Sequence, residues 1–164
     1  MLLLLSLLGC TDGPDKDKSP IELLCEGEGE PSVELGIGAG SEFVPIEDGM
    51  RVGLDVAPQG GFGVSVRAKT TGLKADATVS VLLEPYIDDA IAGSFLNEAV
   101  QLYCQDDGSG LLWGVVVGFD EDTFPTTDAL LDLHGAMVDL SVVVTDSTGE
   151  VGSGEARVEI EVGG

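Results

Sequence analysis

The side chains most able to do chemistry in this chain are carboxylates, and one group near its start has the spacing of a calcium loop. Asp15, Asp17, Ser19 and Glu26 place oxygen atoms at the first, third, fifth and twelfth positions of such a loop. Pro20 stands at the sixth position, where a calcium loop needs a glycine for its sharp turn. This departure favours a plain solvated segment over a metal site.

A second acidic group consists of Asp120 and Asp122, on either side of Glu121, in a segment expected to link two strands. Carboxylate oxygens are the ligands that Ca²⁺ prefers in proteins. Phe124 and Pro125, however, occupy positions where further ligands would be needed. A solvated loop is the favoured interpretation, and a calcium site at Asp120 and Asp122 is the alternative.

The signals for enzymatic chemistry are weak. The single histidine, His134, lies in a setting more typical of a strand end or a surface than of a general base. No Gly-x-Ser-x-Gly motif is present to place a serine nucleophile. The glycines of residues 36–40 fail the dinucleotide-binding pattern, because Ser41 replaces its last glycine and Pro45 interrupts the helix that should follow. We therefore expect neither an enzyme nor a resident cofactor.

The charge of the chain restricts its partners. Acidic residues outnumber basic ones by 30 to 7, which gives a net charge of −23 at neutral pH. A surface of that sign repels phosphate backbones and anionic lipid head groups, so we expect no nucleic-acid partner. Because the acidic residues are scattered, solubility is a simpler explanation for them than the collection of divalent cations.

Three aromatic side chains, Tyr86, Tyr103 and Trp113, could stack on a sugar ring. Trp113 lies within the continuous apolar run LLWGVVVGF, which is typical of a buried strand. We therefore predict that Trp113 packs in the core. An exposed aromatic platform would instead favour carbohydrate binding.

The opening sequence MLLLLSLLGC predicts export. Residues 2–8 form an apolar run of about seven residues, whereas a membrane-spanning helix needs about 20. The run matches the apolar region of a secretory signal. Its end, Leu7-Leu8-Gly9-Cys10, resembles the lipobox of bacterial lipoproteins. The resemblance implies that residues 1–9 are a signal peptide and that Cys10 becomes the lipidated first residue.

The sequence after Cys10 agrees with a lipid anchor. Residues 10–20 are polar and rich in charge and proline, a composition that predicts a flexible linker. Residues 21–164 would then form the folded domain. Thr11 follows the cysteine, and by resemblance to enterobacterial sorting rules this implies the outer membrane.

If Cys10 carries the lipid, Cys25 and Cys104 remain, an even number in an oxidising compartment. We therefore predict a Cys25–Cys104 disulfide that closes a loop of about 80 residues. Such a bond would fasten the first segment of the domain to a strand near the middle of the chain.

Alternation of apolar and polar residues predicts an antiparallel β-structure. The expected strands lie at residues 32–38, 50–57, 62–69, 79–83, 98–104, 111–119, 136–145 and 156–162. Turn-forming residues separate them at 60–61, 106–110 and 146–149. A short helical turn is expected at residues 126–133, capped by Thr127 or Asp128. An irregular or helical piece is expected at 87–97.

Two segments resemble known proteins. Residues 137–162, MVDLSVVVTDSTGEVGSGEARVEIEV, resemble the closing hairpin of immunoglobulin-like domains. Residues 56–73, VAPQGGFGVSVRAKTTGL, are similar to a segment of uncharacterised lipoproteins of gram-negative bacteria. With the strand pattern, these resemblances imply an immunoglobulin-like antiparallel β-sandwich of about 7–9 strands.

The expected function follows from the anchor and the fold. We expect a non-enzymatic lipoprotein, held to the membrane by the lipid on Cys10, that faces the periplasm or the cell surface. Its role would be structural or binding, and the sequence leaves a protein or a glycan partner open. The alternative is an adhesion module that depends on calcium or carbohydrate.

Overall fold

A computed structural model describes residues 25–56, 62–120, 122–124 and 126–162. The expected signal peptide, the linker with its lipidation site at Cys10, the carboxylates of residues 15–19 and the turn at 60–61 lie outside these ranges. The described ranges contain ten strands and one helical turn, which we number in chain order. The strands are β1 Ser32–Ile37, β2 Val44–Pro45, β3 Met50–Val56, β4 Phe62–Thr71, β5 Ala77–Ile87, β6 Ala90–Ile91, β7 Phe95–Cys104, β8 Gly110–Gly118, β9 Met137–Thr145 and β10 Val151–Glu161.

The strands form two layers joined along both sides. In one layer β4 pairs antiparallel with β1 and with β8. In the other, the order is β7, β5, β9 and β10, and all of these pairings are antiparallel. Strand β3 joins the layers, because residues 50–53 run parallel to β10 and residues 54–56 pair with β4. The end of β7 joins them on the opposite side, where it pairs with the start of β8.

This strand order is that of an immunoglobulin-like sandwich. The β4–β8 pair corresponds to strands B and E of such domains, and β5, β9 and β10 correspond to C, F and G. The expected fold class is therefore confirmed. The structure differs in detail, since it has ten strands, two of them only two residues long, and since β3 and β10 run parallel.

The core lies between the inner faces of the two layers. In β9 the side chains of Val138, Leu140, Val142 and Val144 are all buried, and the residues between them face outward. This alternation is the sequence pattern that predicts the strand. In β10, Gly154 lies directly against the backbone of Val33, an approach that any Cβ atom would block.

The segment expected to be irregular or helical, residues 87–97, is instead a tight hairpin followed by a long strand. Strand β5 continues to Ile87, and β6 begins three residues later at Ala90. Between them Asp88 and Asp89 have φ angles of 50° and 63°. Positive φ at both central residues is the geometry of a type I′ turn, and aspartate tolerates it better than most residues. The prediction for this segment was wrong because the two aspartates set a turn.

The cysteine prediction agrees with the structure. Cys25 and Cys104 lie at disulfide distance, with Cα atoms 5.9 Å apart and 79 positions apart in the chain. Cys25 is buried, and its carbonyl oxygen accepts a hydrogen bond of 2.9 Å from the backbone N–H of Ala75. Beside it, Glu26 and Lys74 form an ion pair of 3.2 Å. The disulfide thus ties the first described segment to the end of β7.

The helical turn α1, Thr127–Leu131, lies within the expected range of 126–133. The capping residue is Thr126 rather than Thr127 or Asp128, since the Thr126 Oγ1 accepts a hydrogen bond from the backbone N–H of Ala129. In the described part of the chain, no helix is long and apolar enough to span a membrane.

Candidate ligand-binding cleft

A cleft opens along one side of the sandwich, where β7 and β8 separate. The two strands pair only at Tyr103–Leu111 and Cys104–Gly110, after which each follows a different layer. This pairing closes one end of the cleft. At the other end, the backbone N–H of Asp120 donates a hydrogen bond of 2.8 Å to the carbonyl oxygen of Ala92. The cleft has a volume of about 700 Å³. Its lining comprises Ile91, Gly93, Ser94, Phe95, Asn97, Val100, Trp113, Gly114, Val115, Val116, Gly118, Phe119 and Asp120.

Each strand beside the cleft carries a β-bulge. In β8 the pairing with β4 shifts by one residue between Leu112 and Val115, where Gly114 has a φ of 55°. In β7 the pairing with β5 shifts between Asn97 and Val100. Bulges bend a strand and redirect its side chains, and they are common beside binding sites. Here the bulges coincide with two residues of the cleft lining, Asn97 in β7 and Trp113 in β8.

Trp113 is exposed, so the prediction that it packs in the core was wrong. Its side chain has 47% of its surface accessible, and that of Tyr103 has 41%. The two rings are stacked, with centroids 4.6 Å apart and planes at 23°. Tyr103 therefore covers one face of the indole, while the indole also borders the cleft. The two rings therefore form an exposed aromatic platform beside the cleft.

Three polar side chains accompany Trp113 in the cleft: Ser94, Asn97 and Asp120. The Asn97 Oδ1 accepts a hydrogen bond of 2.9 Å from the backbone N–H of Ala99, which holds the β7 bulge. The Asp120 Oδ1 accepts one of 2.9 Å from the backbone N–H of Asp122. Among the described residues, the Asn97 Nδ2, the Asp120 Oδ2 and the Ser94 hydroxyl have no hydrogen-bond partner. Their hydrogen-bonding capacity is open to a ligand.

The candidate calcium residues Asp120 and Asp122 lie in one turn at the base of the cleft. In this turn one carboxylate oxygen of Asp120 accepts the backbone N–H of Asp122. The described ranges contain no group of three or more metal-binding side chains. Calcium binding here stays a prediction of the sequence alone.

The hairpin that carries Tyr103 and Trp113 is fastened at its turn by Asp107. This carboxylate accepts a hydrogen bond of 2.8 Å from the Lys69 ammonium on β4, and others from the hydroxyl and the backbone N–H of Ser109. The Lys69 contact, followed by those of Ser109, holds the pKa of Asp107 well below its usual range. These contacts fasten the β7–β8 turn to strand β4, at the end of the cleft where β7 and β8 pair.

The other candidate residues lie away from the cleft. Tyr86 borders a separate surface groove on β5, β9 and β10. Its hydroxyl donates to the Glu84 carboxylate at 3.0 Å, and this hydrogen bond raises the pKa of Tyr86. His134 is exposed in the turn before β9, as predicted, and its Nδ1 accepts a hydrogen bond from the backbone N–H of Val162.

No motif in the sequence points directly to the cleft. Asn97 was not a candidate, because an isolated asparagine in a polar stretch carries no signal of its own. The glycine after Trp113 was the available clue, since a glycine inside an apolar strand often marks a bulge. Comparison with known proteins adds nothing to this picture, because no protein-family model and no curated protein matches the chain.

Proposed function

We propose that this protein is a lipid-anchored binding protein of the bacterial envelope, whose ligand occupies the cleft beside Trp113. The observation that carries the binding role is the exposed Tyr103–Trp113 stack, whose indole borders that cleft. Large aromatic side chains supply much of the energy of many binding sites, and stacking holds this pair in place before a ligand arrives. The lipobox resemblance at Leu7 to Cys10 supports the anchor.

The shape of the cleft suits a small ligand or one end of a longer one. Its volume of about 700 Å³ falls within the range of small-molecule sites. Its lining is largely apolar, with the few polar groups of Ser94, Asn97 and Asp120. That composition is the usual one for such sites, in which apolar contacts give affinity and a few polar groups give orientation.

The anchor is tested by changing Cys10 to Ser in the full chain and expressing both forms in a gram-negative host. The parent chain should appear in the membrane fraction with a mass that shows loss of residues 1–9 and addition of lipid. The Cys10→Ser form should lose the lipid and leave the membrane fraction. Cys25→Ser is the matched control, and should keep the lipid. A parent chain without lipid would contradict the anchor.

The binding role is tested through Trp113, which is the only tryptophan of the chain. Its indole N–H gives a single resonance, which can be followed by NMR during titration with neutral sugars, short peptides and apolar fragments. We expect at least one of these classes to shift the resonance in a saturable manner. Exposed Leu96 on β7 lies outside the cleft lining, so Leu96→Ala should leave binding unchanged. If no class shifts the resonance, the cleft is not a binding site.

A further inference from the structure

We infer that the ligand of this cleft is a neutral oligosaccharide, with one sugar ring stacked on Trp113 and hydroxyl groups of neighbouring rings bonded to Asn97 and Asp120. The inference rests on the proposed function and adds the class of ligand. A pyranose ring has an apolar face of C–H groups and a rim of hydroxyl groups, so it needs an aromatic surface with polar groups beside it. The cleft offers both.

The indole of Trp113 has one ring face available for such stacking. Tyr103 covers the other face at a centroid distance of 4.6 Å, and among the described residues Trp113 has no further ring contact. Tyr103 is absent from the cleft lining. It therefore acts as a positioning residue, which fixes the indole without meeting the ligand.

The open polar groups match hydroxyls better than ions. Asn97 has a free donor in its Nδ2, and Asp120 has a free acceptor in its Oδ2, while the Ser94 hydroxyl can do either. A cation would be opposed by the Asn97 donor and an anion by the Asp120 carboxylate. A sugar hydroxyl donates and accepts, so it can satisfy both groups. The net charge of −23 further disfavours an anionic ligand.

An added peptide strand is a poor fit, although β7 and β8 both have free edges along the cleft. Strand addition needs a regular row of backbone donors and acceptors. The β8 edge is interrupted at Gly114, and the β7 edge at residues 98–99. The backbone N–H of Ala99 is already bonded to the Asn97 side chain. Bulges of this kind protect edges from strand addition.

The test is calorimetric titration of the full domain with neutral oligosaccharides of glucose, xylose, mannose and N-acetylglucosamine. Oligolysine, choline and hexuronic acid oligomers provide the charged probes. We expect at least one neutral set to bind, with a dissociation constant on the order of 0.1–1 mM for a di- or trisaccharide. Binding should be the same in EDTA and in 5 mM Ca²⁺, because protein groups contact the hydroxyls directly.

Substitutions at three positions identify the contacts. Trp113→Ala should weaken sugar binding by about tenfold or more, while Trp113→Phe should keep part of it. Asn97→Asp keeps the acceptor that holds the bulge but removes the free donor. Asp120→Asn keeps the oxygen that accepts the backbone N–H in the turn but replaces the free carboxylate oxygen with an NH₂ donor. Each of these two isosteric changes should weaken binding by about five- to tenfold.

The same pair of variants separates the ligand classes. A cationic ligand would bind more tightly to Asn97→Asp, and an anionic ligand more tightly to Asp120→Asn, and either result would overturn the carbohydrate inference. So would binding only in the presence of Ca²⁺, or saturable binding of a peptide or apolar fragment without any sugar. Those outcomes would still leave a functional cleft, so the binding role would survive them. Leu96→Ala serves again as the unchanged control.

Discussion

Removal of the Cys25–Cys104 disulfide should lower the free energy of unfolding by about 4 kcal/mol. The bond joins residues 79 positions apart, and a crosslink over a loop of that length strongly restricts the unfolded chain. Few other single changes in a small domain have an effect as large, since total stabilities are about 5–15 kcal/mol.

The measurement is urea unfolding of Cys25→Ala/Cys104→Ala against the parent, both with Cys10→Ser so that no third thiol can exchange. Alanine suits Cys25 because that site is buried. Dithiothreitol provides the control, since it should destabilise the parent and leave the double variant unchanged. Equal stability of the two proteins, with or without reductant, would show that the bond does not form.

The disulfide lies next to one end of the cleft. Cys104 follows Tyr103, and both belong to the short β7–β8 pairing that closes one end of the cleft. Once the disulfide is lost, the segment beginning at Cys25 is still attached by the Glu26–Lys74 ion pair and the hydrogen bond from Ala75. We therefore expect loss of the disulfide to lower the free energy of unfolding of the whole domain, while the arrangement of the cleft residues in the folded state changes little.

The features that could be predicted from the sequence are those with a local cause or a cause that can be counted. In β9, buried Val138, Leu140, Val142 and Val144 alternate with outward-facing residues, two of which are Asp139 and Ser141, and this alternation predicts the strand because the period of a strand is two residues. The turn at residues 146–149 follows from side chains that bond their own backbone. The Cys25–Cys104 pair was predicted from an even count of cysteines, on the expectation that the chain is exported and that Cys10 carries a lipid.

The features that could not be predicted depend on pairing between strands that are distant in the chain. In the run around Trp113 every residue is apolar or glycine, so the sequence has no alternation from which to assign faces. The face of Trp113 depends on a register shift against β4, about 50 residues earlier in the chain. The parallel pairing of β3 with β10 likewise brings together strands from nearly opposite ends of the domain. Pairing between strands so far apart in the chain cannot be predicted from the residue pattern within either strand.

Some contacts of Asp146 could be predicted from the local sequence, and one could not. Its place in the turn after β9 could be foreseen, and its Oδ1 does accept hydrogen bonds from Thr148 and from the backbone N–H of Glu150. Its Oδ2, however, accepts one of 2.8 Å from the backbone N–H of Lys74, 72 positions away. The carboxylate therefore joins the β9–β10 hairpin to the segment after β4, and only 6% of the residue is exposed.

Replacing Asp146 with Ala should lower the free energy of unfolding by about 3 kcal/mol, because it leaves the backbone N–H groups of Lys74, Thr148 and Glu150 without their acceptor. Asp146→Asn should cost less, about 1–2 kcal/mol. Its amide oxygen can still serve Thr148 and Glu150, but its NH₂ group then faces the N–H of Lys74. Asp139→Asn is the matched control, since that carboxylate is in an exposed pair with Arg157 and its replacement should have little effect on stability.

The pH dependence of the free energy of unfolding shows whether Asp146 stabilises the protein through its hydrogen-bonded charge or only through the packing of its side chain. Burial acts to raise the pKa of Asp146, but the hydrogen bonds from Thr148, Lys74 and Glu150 outweigh it and leave the pKa below its usual value. A lowered pKa in the folded state stabilises the protein fully above the unfolded pKa of about 3.9, and that stabilisation is lost as the pH falls through the folded pKa. Urea unfolding of the parent and of Asp146→Asn should therefore show the full difference at pH 7 and a shrinking one below about pH 4. A difference that stays constant between pH 7 and pH 3 would mean that Asp146 stabilises the hairpin by its shape alone.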